Sequence, residues 1–120
     1  MPYTIAWETE GLYRRYFGDV THGERRSSLN EIYADPRFDG ARYVISDYQG
    51  VQNFERSLEA TRELAAFHIG PQFTKPHMVI AAVATREDIV AELRAFMDLK
   101  CVLWPYEIFE TLKAARAWVK

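Results

Sequence analysis

The chain has 120 residues, is 48% hydrophobic and 14% aromatic, and carries a formal net charge of −2. That is the length of one domain, spanning 1–120, with enough apolar surface for a core, and the charge balance argues against general nucleic-acid affinity through phosphate contacts. A lone cysteine, Cys101, excludes an internal disulfide framework and fits a reducing cytoplasm.

The opening MPYTIAWETEG has no basic flank before an apolar run, so it does not read as a signal peptide. The longest apolar run, 78–84, is far too short to span a bilayer. PYTIAW alternates, with Tyr3, Ile5 and Trp7 on one face of a half-buried strand. ETEG supplies turn chemistry, and LYRRYFGDV reads as a second strand in an antiparallel hairpin. Both faces of that second strand contain arginine, so alternation alone does not settle which face is buried.

Thr21 and Glu24 in THGE have capping-box spacing, and Leu29, Ile32 and Tyr33 follow at helical spacing. Asp35-Pro36 ends that helix, because a residue before proline avoids the helical region. RFDGAR reads as a loop and RYVISDY as a third, central strand. Asn53 is the expected cap of the next helix, whose stripe is Phe54, Leu58, Thr61, Leu64, Ala65 and His68. Gly70-Pro71 is the expected stop.

MVIAAVA is apolar without alternation, as expected of a strand covered on both faces. TRED reads as another cap, ahead of an amphipathic helix carrying Ile89, Val90, Leu93, Phe96 and Met97. CVLW reads as a short strand, ended or interrupted at Pro105 and resuming through Ile108 and Phe109. Thr111 caps a last helix with Leu112, Ala115, Trp118 and Val119. The order ββαβαβαβα implies an α/β layer fold with a mixed, mostly parallel sheet. Functional groups in such sheets gather at the carboxyl ends of strands.

Chemistry-bearing residues are sparse. His22, His68 and His77 lack the spacing of a helical metal site and read as surface or edge histidines, with His68 near a helix C-terminus. Asp47 reads first as an acceptor shaping the turn before Gly50. Glu8 and Glu10 sit in a hairpin loop with no evident partner, and Cys101 reads as an inert packer. There is no nucleophile elbow, phosphate-cradling loop or dinucleotide fingerprint, so no cofactor is expected. The aromatics Tyr3, Trp7, Tyr13, Tyr16 and Phe17 crowd the first hairpin, as cross-strand packing or a partner patch.

The segment SDYQGVQNFERSL resembles the pattern DLSGVxFMDSSGL of STAS domains, named for sulfate transporters and anti-sigma-factor antagonists. Asp47, Gly50 and Val51 fall on identical positions. The chain is more similar still to small bacterial SpoIIAA-like proteins of unassigned function. These have openings like YxIxWE, middles like DPRFxxxRYVIxD and ends like FxTxxxAxxW; this chain has YTIAWE, DPRFDGARYVISD and FETLKAARAW. The resemblance implies a SpoIIAA/STAS-like fold and a non-enzymatic module that binds a protein partner or itself, possible homodimer included. It also implies a regulatory or interaction site at Asp47, Glu55, Arg56 and Ser57. Ser57 aligns with the serine that is phosphorylated in the antagonists, while Glu55, Arg56 and Leu58 replace its aspartate, serine and glycine neighbours. Related folds include lipid-binding CRAL-TRIO-like domains. The alternative expectation is therefore a small-molecule or lipid carrier, with a cavity lined by Phe67, Phe96 and Met97.

Overall fold

The computed structural model describes residues 2–75, 77–100 and 102–120. Five strands form one sheet in the order β1-β2-β3-β4-β5: Tyr3–Trp7, Gly11–Val20, Tyr43–Phe54, Val79–Val83 and Tyr106–Phe109. β1 pairs antiparallel with β2, and every other pairing is parallel. The mixed, mostly parallel α/β sheet is thus the one the sequence implies. The helices are α1 (His22–Ala34), α2 (Leu58–Phe67), α3 (Ile69–Thr74), α4 (Glu87–Asp98) and α5 (Leu112–Val119), with a 3₁₀ turn over Pro36–Gly40 where the sequence suggested a loop.

β4 lies between two parallel neighbours, and Ile80 to Val83 are buried. Its unbroken apolar run follows from cover on both faces. On one face, Ala115, Leu112, Trp118 and Val119 of α5 pack on Ile45, Ala81 and Val83. On the other, Leu29, Ile32, Leu64, Ile89, Leu93 and Phe96 of α1, α2 and α4 form the larger core with Leu12, Tyr16, Val44 and Ile80. Helix ends follow local chemistry at two predicted places. Thr21 Oγ1 accepts from the Glu24 amide at 3.3 Å, and Thr111 Oγ1 from the Ala114 amide at 3.1 Å.

The structure corrects several expectations. β3 does not turn at Gly50 but runs to Phe54. Pairing with the ten-residue β2 continues along it through two register shifts, one opposite Arg15 and Phe17 and one opposite Gly18 and Asp19. A Cβ at Gly50 would stand 3.1 Å from both Phe17 Cβ and the Tyr16 carbonyl oxygen, and Gly18 adopts φ +64°. The turn-forming residues therefore serve bulges. Asn53 is inside the strand, its Nδ2 donating to Asp19 Oδ1 at 2.6 Å, and caps no helix. The cap of α2 is Ser57.

Gly70 and Pro71 lie in α3, where a proline in the first turn forfeits no helical bond. Arg86, not Thr85, holds the N-cap position of α4. Val102 to Trp104 are not a strand; Trp104 is buried and its indole N–H donates to the Lys75 carbonyl at 2.6 Å. Cys101 lies outside the described residues. No helix among the described residues is long and apolar enough to cross a membrane.

Candidate functional site

Two places concentrate polar chemistry. The first is the carboxyl end of β3. Glu55, Arg56 and Ser57 are all exposed there. Ser57 has extended backbone, and its Oγ accepts from the Ala60 amide at 3.3 Å, so it closes the start of α2. Glu55 Oε1 accepts from the His22 amide at 3.0 Å, tying the segment to the start of α1. Arg86 Nη1 donates to the Gln52 carbonyl and ties it to the start of α4. Three helix N-termini therefore meet at this end of the sheet, with the exposed residues Thr21, Ser57 and Thr85 at their starts.

Asp47 is not part of that group. It lies inside β3, is 4% exposed, and pairs across the sheet with Arg15 and Val83. Its carboxylate accepts from the Tyr13 hydroxyl at 2.5 Å and from the Gln49 amide at 2.9 Å. Tyr13 belongs to the layer under α5, so strand alternation sends Asp47 to the face away from α1, α2 and α4. Burial, with the bond to Asp47, pushes the Tyr13 phenol up to about 12. The structure thus joins Ser57, Glu55 and Arg56 and separates Asp47 from them.

The second place is internal. A cavity of about 40 Å³ lies between the sheet and α1, α2 and α4, with Arg14, Arg25, Tyr48, His68, Phe96 and Tyr106 in its wall. Arg14 is 7% exposed; Nη1 donates to Ser28 Oγ at 2.9 Å and Nη2 to Ser46 Oγ at 2.8 Å. The Ser28 hydroxyl donates to the Arg25 carbonyl at 2.8 Å, so in its 2.8 Å contact with Tyr16 the phenol is the donor. Arg25 is 5% exposed, with Nη1 3.3 Å from Oε2 of Glu92, itself 2% exposed. Thr61 Oγ1 lies 2.5 Å from Glu92 Oε1.

His68 is buried at the end of α2, which corrects its reading as a surface residue. Its Nδ1 donates to the Leu64 carbonyl at 2.9 Å, since a carbonyl only accepts. Burial, helped by the charges of Arg14 and Arg25, lowers its pKa to about 4 and keeps it neutral. Burial likewise pushes the phenols of Tyr33 and Tyr106 upward. Of the cavity residues expected for a carrier, Phe96 is in the wall; Phe67 and Met97 are not.

Sequence periodicity carried a signal for this cluster. Arg25 precedes Leu29 and Ile32 by four and seven positions, and Glu92 lies on the stripe of Ile89 and Phe96. Glu92 is a charge in an otherwise apolar stripe, and Arg25 is a charge on a face shared with Ser28, Leu29 and Ile32. Among the described residues, no three His, Cys, Asp or Glu side chains gather to hold a metal ion.

No family model matches the chain, and no curated protein matches it. Solved structures do. SpoIIAA, an anti-sigma factor antagonist in its unphosphorylated form, superposes with a TM-score of 0.64 at 12% identity, covering 98% of this chain and 96% of its own. An uncharacterised protein of the DUF3478 family from Shewanella loihica PV-4, described as having a SpoIIAA-like fold, gives 0.60 at 14% identity, covering 98% and 92%. At these identities the likeness shows the fold alone: this chain has the SpoIIAA-like, STAS-type fold over nearly its whole length.

Proposed function

We propose that this chain is a non-catalytic, STAS-like module of the cytoplasm, a single domain over 1–120, that binds a protein partner through the surface at the carboxyl end of β3. The observation that carries this reading is the exposed Ser57 hydroxyl at the start of α2, with Glu55 and Arg56 beside it. The fold supports it, since the SpoIIAA that shares the fold is an anti-sigma factor antagonist. Ser57 is also where the resemblance to the antagonists puts their phosphorylated serine. A phosphate there would meet the free amides of the first turn of α2, while changing the sign and size of the surface a partner reads.

A lipid carrier draws less support. The cavity of about 40 Å³ is well below the roughly 300–1,000 Å³ of pockets that hold drug-sized ligands. The test is affinity capture with wild type, Ser57→Ala and Ser57→Glu, alongside native mass spectrometry of the freshly purified chain. A protein retained by wild type and Ser57→Ala but released by Ser57→Glu supports the reading. A copurified lipid, or the same proteins retained by all three, contradicts it; a homodimer that Ser57→Glu dissociates would make the partner a second copy.

A further inference from the structure

We propose that the internal cavity is a binding site for a small monoanion, a halide or a short carboxylate, held by the guanidinium groups of Arg14 and Arg25. The inference is independent of the surface reading above. Two buried cations line this cavity, and among the described residues Glu92 is the one buried carboxylate beside them. Among the described residues Arg14 has neutral partners only, the hydroxyls of Ser28 and Ser46, and its charge stands 5.0 Å over the Tyr16 ring. Its Nε–H is buried and has no hydrogen-bond acceptor among the described residues.

The other buried carboxylate among the described residues, Asp47, answers Tyr13 on the opposite face of the sheet. A buried guanidinium without a counter-charge is costly, and a buried donor without an acceptor adds to that cost. A single negative charge at Arg14 Nε would answer both. The site is pre-formed: the serines fix the Arg14 fork, and the Glu92 carboxylate fixes Arg25. The volume, about 40 Å³, has room for roughly three water-sized spheres, which suits a halide or a formate-sized carboxylate and not a nucleotide or an acyl chain. His68 in the wall is neutral and so neither adds a cation nor competes for the charge.

A ligand that binds only the folded state raises the melting temperature saturably. The test is melting of the whole chain in chloride, bromide or formate against gluconate, a monoanion too large to enter, at one fixed ionic strength. We expect a saturating rise of about 5 °C over gluconate for the anion that fits. The larger response, halide or formate, identifies the source. Arg14→Gln should lose that rise; Arg15→Gln, an exposed neighbour on the other face, should keep it. The direct reading needs no variant: crystals grown with gluconate as the only small anion are soaked in bromide or in formate. Density for the anion against Arg14 Nε, anomalous in the bromide case, supports the site. Water alone there in both soaks, or equal melting in all four salts, overturns the proposal.

Discussion

Arg25 and Glu92, 67 residues apart in the chain, meet at 3.3 Å with both side chains almost wholly buried. The pair joins α1 to α4 beneath α2. Its value lies in what breaking it would cost, because taking two charges out of water offsets much of their attraction. Glu92→Gln should therefore cost about 3–5 kcal/mol, as a buried Arg25 loses its counter-charge. Replacing both, Arg25→Met with Glu92→Leu, should return most of that loss. Urea denaturation of the three proteins measures it, and a Glu92→Gln variant as stable as wild type would contradict the pairing.

Ser57 is the cap of α2, not a bystander on its surface. Ser57→Ala should cost about 1 kcal/mol through the lost bond to the Ala60 amide. Ser57→Asp should cost less, since an aspartate caps as well and places a negative charge at the positive end of the helix. Thermal melts of the two variants provide the comparison, and a Ser57→Ala variant as stable as wild type would show that the cap bond contributes nothing.

Asp47 and Tyr13 couple β2 to β3 under α5. Asp47→Ala strands the Gln49 amide and the Tyr13 hydroxyl, with an expected cost of about 1–3 kcal/mol. Tyr13→Phe made in the Asp47→Ala background should cost less than the same change in wild type. Strict additivity in that double-mutant cycle would mean that the two groups do not interact.

Burial of neutral His68 gives the fold an acid-sensitive component. Its folded pKa, about 4, lies below the ordinary 6.5, so the unfolded chain binds the extra proton between those values. The contribution is fully present above pH 6.5, falls as pH drops toward 4, and changes no further below that. His68→Phe should flatten stability over that window, on top of the carboxylates Glu8 and Glu63, whose pKa values are lowered by bonds to Arg116 and His22 respectively. Denaturation midpoints at pH 7.0, 5.5 and 4.5 test this; parallel curves for the two proteins would mean that His68 titrates normally.

Local chemistry made part of this fold legible. The apolar run of β4, the proline stop after α1 and the Thr111 cap each depend on residues a few positions apart. The extent of β3 does not. Its Gly50 and Asn53 look like turn residues, and only pairing with β2, more than 30 positions away, turns them into parts of a bulged strand. The face of the first hairpin was equally hidden, because Arg14 and Arg15 are interchangeable by alternation. Ser28 and Ser46, brought in by α1 and β3, make Arg14 the one that can be buried. At the candidate surface, Glu55, Arg56 and Ser57 were readable as a junction. That Asp47 faces the opposite side followed from the length of a strand the local sequence understates.

In the proposed function, charge at Ser57 controls a partner-binding surface at the carboxyl end of β3. The most direct measurement is the dissociation constant of the captured partner, purified, for wild type, Ser57→Ala and Ser57→Glu, with circular dichroism confirming that each is folded. Binding within twofold for wild type and Ser57→Ala, and at least about tenfold weaker for Ser57→Glu, is the predicted result, a difference of about 1.4 kcal/mol or more. The same constant for all three folded proteins would contradict it.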